Sequence, residues 1–160
     1  MHRSFRFPFA ALKVSVRVTS VLILLLLPTF AFAGTGENEK STAVRAVMDA
    51  QVGAWNRGDL EGFMAGYRRS PDLEFYSGDK ITLGWDATLA RYKKSYQGEG
   101  KEMGTLDFSD LHVHTNPSNV AWVSGHWHLK MKDGSEKGGL FTLIFHKMAD
   151  GWKIIHDHTS

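Results

Sequence analysis

Four consecutive stretches at the C-terminal end of the chain alternate in polarity and are joined by short turn signals. The clearest runs from Val120 to Met131. Ala121, Val123, Gly125, Trp127, Leu129 and Met131 fall on one side of an extended chain, and Ser124, His126, His128 and Lys130 on the other. Thr105–His114 precedes it across Thr115-Asn116-Pro117-Ser118-Asn119, and Gly139–Met148 follows across Lys132-Asp133-Gly134-Ser135. Asp150-Gly151 then forms a tight turn into Trp152–Thr159. Consecutive strands with short links predict an antiparallel sheet.

The last strand sets the expected interior. Trp152, Ile154, His156 and His158 share one face, and Lys153, Ile155, Asp157 and Thr159 the other. Lys153 and Asp157 suit solvent or a rim, so the Trp152 face is predicted to look inward. That face begins apolar and ends in two imidazoles, as a core opening into a pocket would. The outer face is not plainly polar. Trp122 lies opposite Ala121 and Val123, and Ile155 opposite Trp152. The Gly139 stretch carries Leu140 and Ile144 against Phe141, Leu143 and Phe145. A sheet apolar on both faces is covered on both, and this predicts a second copy of the chain packed sheet to sheet.

The preceding segment is helical. Val44, Val47, Met48, Val52 and Trp55 recur at helical spacing, with Ser41 as a candidate N-cap after a polar lead-in from Gly34 to Lys40. Gly58 suits the left-handed position at the end of that helix. Asp59 caps a shorter helix carrying Leu60, Phe63, Met64 and Tyr67. Two short strands, Leu73–Tyr76 and Ile81–Leu83, precede a third helix with Asp86 as N-cap and Leu89, Tyr92 and Tyr96 along one side. Helices followed by an antiparallel sheet make an α+β arrangement.

The first 33 residues differ from the rest. Arg3, Arg6, Lys13 and Arg17 give a basic start, Val21–Leu27 is apolar, and Ala31-Phe32-Ala33 is a small-x-small cleavage pattern. This order predicts a signal peptide over 1–33, a single domain over 34–160, and export to the periplasm or medium. The whole chain has 19 Lys and Arg against 17 Asp and Glu, and removing the four leader bases leaves 15 against 17. The mature part therefore offers no basic surface for nucleic acid, and no membrane association is expected once the leader is cleaved. With no cysteine in the chain, disulfides and thiolate chemistry are excluded.

Three motifs carry a family resemblance. They are Ala54-Trp55-Asn56-Arg57-Gly58-Asp59-Leu60 at the helix junction, Gly84-Trp85-Asp86 at the third helix, and the ending from Asp150 to Ser160. Together they resemble the nuclear transport factor 2-like superfamily, chiefly its bacterial SnoaL-like members and the association domain of calcium/calmodulin-dependent protein kinase II. The resemblance implies a cone-shaped fold, with three N-terminal helices packed in a curved antiparallel sheet around a deep pocket, and a homodimer. The superfamily includes isomerases, dehydratases, polyketide cyclases, binding proteins and assembly modules, so it does not choose a function.

Seven of the eight histidines lie in the last third, six of them as His112/His114, His126/His128 and His156/His158. Spacing of this kind on a strand places both rings on one face, which metal sites exploit. By strand parity only His156 and His158 face inward, so the pairs do not converge, and neither metal nor cofactor is expected. The expected pocket lining is Trp55, Tyr67, Phe75, Tyr92, Trp127, His156 and His158. Tyr67 and Tyr92 are its candidate polar groups, because buried hydroxyls need partners. Asp72 and Glu74 are the nearest candidates for a base. The leading expectation is an exported domain binding a small hydrophobic molecule. The alternatives are a cofactor-free acid/base enzyme acting on a hydrophobic carbonyl compound, and a homo-oligomeric interaction module.

Overall fold

The computed structural model describes residues 35–160, and the predicted leader lies outside them. Helix α1 (Thr35–Asn56) is followed by α2 (Leu60–Met64), strands β1 (Glu74–Ser77) and β2 (Lys80–Leu83), and helix α3 (Trp85–Tyr96). Strands β3 (Thr105–Thr115), β4 (Val120–Lys130), β5 (Glu136–Met148) and β6 (Gly151–Thr159) complete it.

Helix α1 begins within the expected lead-in, ahead of Ser41. No proline interrupts Glu37 to Lys40, and Glu and Lys are good helix formers. Lys40 donates to the Asn116 carbonyl at 2.9 Å, tying this turn to the β3–β4 loop. At the other end Gly58 takes φ 81° and donates to the Trp55 carbonyl, closing the helix. Asp59 then caps α2, its carboxylate accepting from the Gly62 N–H at 2.7 Å. Helix α3 differs from expectation. Gly84 occupies its N-cap with no side-chain bond, and Asp86 sits in the first turn. Asp86 lies 3.6 Å from Arg69, with both side chains exposed. Trp85 anchors α3 instead, donating to the Met64 carbonyl at 2.8 Å.

The six strands form one curved, unclosed sheet in the order β2-β1-β6-β5-β4-β3. From β3 to β6 the neighbours are antiparallel, as the short turns require. The β1–β2 hairpin docks beside the final strand, so β1 runs parallel to β6. The segment leaving α2 pairs there too: Ile154 donates to the Gly66 carbonyl and Arg68 donates to the Ile154 carbonyl. The helices cover the concave face. Phe145, Ile154, Val123 and Ala121 of the sheet are fully buried with Val44 and Met64 of the helices.

Two irregularities mark the sheet. The β3–β4 register shifts between Ser109 and His112, where Asp110 has φ 51°. Gly125 lies opposite, and a Cβ there would come within 2.9 Å of the Ser109 carbonyl oxygen. The second lies between β5 and β6, where Phe145 pairs with Ile154 but Ile144 pairs with His156. Ile155 is therefore an extra residue, a β-bulge that reverses the parity of everything after it.

That bulge corrects the expected placement of the C-terminal residues. Trp152 and Ile154 face inward as predicted. Beyond Ile155 it is Asp157 that is buried, while His158 is exposed and His156 half-buried on the convex side. All three His-x-His pairs thus share the convex face, contrary to the expectation that one pair faces inward. Among the described residues no group of three or more His, Asp or Glu side chains lies close enough to hold a metal ion.

Candidate functional site

The helices and the concave sheet enclose a cavity of about 190 Å³. Trp55 of α1, Phe63 of α2, Tyr92 and Tyr96 of α3, Phe75 of β1, Trp127 of β4 and Phe141 of β5 supply most of its wall. The rings pack edge to face: Trp55 meets Phe63 at 5.2 Å, Tyr96 at 4.8 Å and Tyr92 at 5.9 Å between centroids. Phe75 stacks on Tyr92 at 5.4 Å. Such contacts fix aromatic walls in place beyond what burial alone provides. The indoles have their N–H groups bound, Trp55 to the Met103 carbonyl and Trp127 to the Ser160 carbonyl, both at 3.2 Å. Each therefore turns apolar ring surface toward the cavity.

One end of the cavity is polar. Asp157 projects inward from β6, between Phe75 of β1 and Leu143 of β5 in the strand register. The Tyr67 hydroxyl donates to its Oδ2 and the Thr159 hydroxyl to its Oδ1, both at 2.7 Å. Pairing of the Gly66–Arg68 segment with Ile154 is what brings Tyr67 alongside. Burial pushes the Asp157 carboxyl up to about 6, against the opposing pull of the Thr159 and Tyr67 hydroxyls and of His156 and His158. Burial and the adjacent Asp157 charge also hold the Tyr67 and Tyr92 phenols well above their ordinary range, so both are donors at neutral pH. The Tyr92 phenol lies near both groups. The result is a buried carboxyl group held by two hydroxyls, Tyr67 and Thr159, with the Tyr92 phenol nearby.

The structure brings together five of the seven residues expected in the lining: Trp55, Tyr67, Phe75, Tyr92 and Trp127. His156 and His158 are not among them, because the Ile155 bulge turns them outward. His156 Nδ1 lies 2.9 Å from the Glu74 carboxylate, and Tyr76 stands against both imidazoles at 5.1 and 6.0 Å. Glu74 is thus engaged on the convex side and Asp72 is exposed, so neither candidate base reaches the cavity. Sequence reasoning missed Asp157, Thr159 and Arg91. The available signal was the requirement that a buried Tyr67 hydroxyl find an acceptor.

A helical layer filling a bent six-stranded sheet around an aromatic cavity defines the cone-shaped α+β class of the nuclear transport factor 2-like proteins. The sequence places the chain more narrowly: residues 44–160 match the model of the SnoaL-like domain, and the chain belongs to that family. A nuclear transport factor 2-like protein of unknown function from Shewanella oneidensis is similar at 37% identity. The match covers 74% of this chain and 97% of that one, with a TM-score of 0.68. A superfamily protein from Salmonella enterica shares the fold at 18% identity, covering 77% and 91%, with a TM-score of 0.65. So does a Thiobacillus denitrificans protein named for a calcium/calmodulin-dependent protein kinase type II association domain. It is 20% identical over 72% and 92% of the two chains, with a TM-score of 0.61. No curated protein matches the sequence.

Proposed function

We propose that this is an exported binding domain whose cavity takes a small, mainly apolar molecule. The observation that carries the reading is a preformed aromatic-walled void with buried polar groups at Asp157 and Tyr67. Its volume of about 190 Å³ fits a ligand of one or two rings, since about 150 Å³ of apolar void is enough for benzene. Aromatic walls with a few placed polar groups are the usual makeup of small-molecule sites. Titration with 2-naphthalenemethanol, followed through Trp55 and Trp127 fluorescence, tests it. Saturable binding that Leu143→Trp abolishes by filling the void is the expected result; no binding by a panel of one- and two-ring compounds overturns it. Export is tested by N-terminal sequencing of the secreted form, expected to begin near Gly34.

A second reading is acid/base catalysis on a hydrophobic carbonyl compound. It is favoured by Asp157, whose carboxyl titrates near neutrality beside two phenol donors. A carbonyl compound whose oxygen accepts from the Tyr92 hydroxyl would have its α-protons acidified. Each Asp157 oxygen accepts one hydrogen bond and keeps a second lone pair that could take the proton. Exchange of α-protons of bound 2-acetylnaphthalene in deuterium oxide, lost in Asp157→Asn, is the expected signature. Binding without exchange leaves the domain a binder only.

The convex sheet face is read as the contact with a second copy. Trp122 is 42% and Leu140 56% exposed there, and Ile144 pairs with Trp122 across β4 and β5. A two-fold partner would cover this patch with the same residues.

A further inference from the structure

We infer that the cavity is built for an amphiphilic anion, a molecule whose carboxylate or similar oxyanion meets Arg91 while its apolar body lies among the rings. The inference rests on the cavity being a ligand site. Arg91 projects from α3 into the cavity wall. One guanidinium nitrogen, Nη1, donates to the Thr82 hydroxyl at 2.9 Å, and the group lies 5.0 Å over the Phe75 ring. Among the described residues no ion pair involves it. A guanidinium carries five N–H donors in a fixed fork, so one hydroxyl leaves most of them unused.

The charge is directed at the cavity. It opposes the upward shift of both the Tyr92 and Tyr96 phenols. Ser95 follows Arg91 by four residues on α3, hence on the same helix face, and it and Ser77 are both among the lining residues. Asp157 does not neutralise Arg91. The two form no ion pair, and in the sheet Phe75 stands between Asp157 and Thr82. Two strand spacings, about 10 Å, separate the Thr82 and Asp157 positions. The cavity therefore has a cationic pole and, across the Phe75 strand, a carboxyl pole.

A neutral apolar ligand would leave the Arg91 fork unmatched. A cationic ligand would be repelled by it. A carboxylate matches it with paired charge-assisted bonds, and the two serine hydroxyls supply further donors. The competing account is mechanical: Arg91 braces the β1–β2 hairpin through Thr82 and Phe75 and has no part in ligand choice.

Calorimetric titration of the mature protein with 2-naphthoate, 2-naphthalenemethanol and 2-naphthylmethylammonium separates these. The naphthoate should bind about tenfold tighter than the alcohol, the scale of one charge-assisted hydrogen bond, and the ammonium should bind weakest. Arg91→Met keeps an apolar stem over Phe75 and should erase the naphthoate preference while leaving the alcohol within about twofold. Arg91→Lys should keep part of it. If the alcohol binds and the naphthoate binds no tighter, the anion inference is overturned while the cavity reading stands. If none of the three binds, the cavity reading fails and takes the inference with it. A preference that survives in a folded Arg91→Met protein makes Arg91 a brace and overturns the inference.

Discussion

Replacing Asp157 with asparagine should change how stability depends on pH. The carboxyl is 2% exposed, so solvent does little to screen its environment. Its value rises from 3.8 to about 6 in the folded protein, and a shift of about two units corresponds to roughly 3 kcal/mol. The fold prefers the protonated form. That contribution is present in full below about pH 3.8 and is lost as pH rises through about 6. Asparagine resembles the neutral acid in shape and does not titrate. The stability of Asp157→Asn relative to the parent should therefore climb with pH, by about 1.4 kcal/mol between about pH 5 and about pH 8. The attraction of His156 and His158 for the carboxylate is already contained in the value of about 6. Urea unfolding of both proteins across that range, read by tryptophan fluorescence, measures the difference. Other titrating groups largely cancel in the comparison. Parallel stability curves, or a difference that falls with pH, would refute the claim that burial dominates at Asp157.

Tyr67→Phe removes one of the two donors to the same carboxyl. It should cost about 1–3 kcal/mol near neutral pH and less in acid, where the protonated group needs fewer donors; unfolding at the two extremes checks this. Trp122→Glu introduces a carboxylate twice at a symmetric contact and should convert a dimer to monomer in sedimentation at tens of micromolar, on the order of ordinary assay concentrations. A parent protein that already sediments as a monomer there would dispose of the sheet-to-sheet dimer.

The sequence carried most of the architecture. Period-two alternation identified β3 to β6, and the Asp59 cap and Gly58 closure placed the α1–α2 junction, because those signals are local. The parallel docking of β1 on β6 is a tertiary pairing between segments about 80 residues apart, and no local pattern announces it. The start of α1 was obscured because a polar segment has no apolar stripe to read. The aromatic wall was legible from residue type: Trp55, Tyr67, Phe75, Tyr92 and Trp127 are large rings on inward positions. The polar end was not. Parity assigned Asp157 to solvent and His156 to the pocket, and one inserted residue exchanged them. Ile154-Ile155 reads as one residue in and one out in an unbroken strand, and nothing in the pair marks a bulge.

The bulge itself can be tested by deleting Ile155. In an unbroken strand the deletion would reverse the faces of all that follows and move a charged residue into the core. In the bulged strand it does the opposite. Ile154 already pairs with Phe145 and His156 with Ile144, so removing the extra residue leaves the pairing intact and Asp157 opposite Leu143. What is lost is local twist, part of an apolar contact on the convex face, and about one residue of rise along β6. That rise matters because the Gly66–Arg68 segment pairs before the bulge and β1 pairs after it, so the turn around Ser70–Asp72 must absorb about 3.3 Å. The deletion variant should fold with a loss of about 1–3 kcal/mol, within the range of ordinary single changes. Its Asp157 carboxyl, followed by carbon chemical shift against pH, should still titrate well above an exposed aspartate. A variant that cannot fold, or one in which Asp157 titrates as a surface group, would mean that the extra residue is required for the carboxyl to face inward.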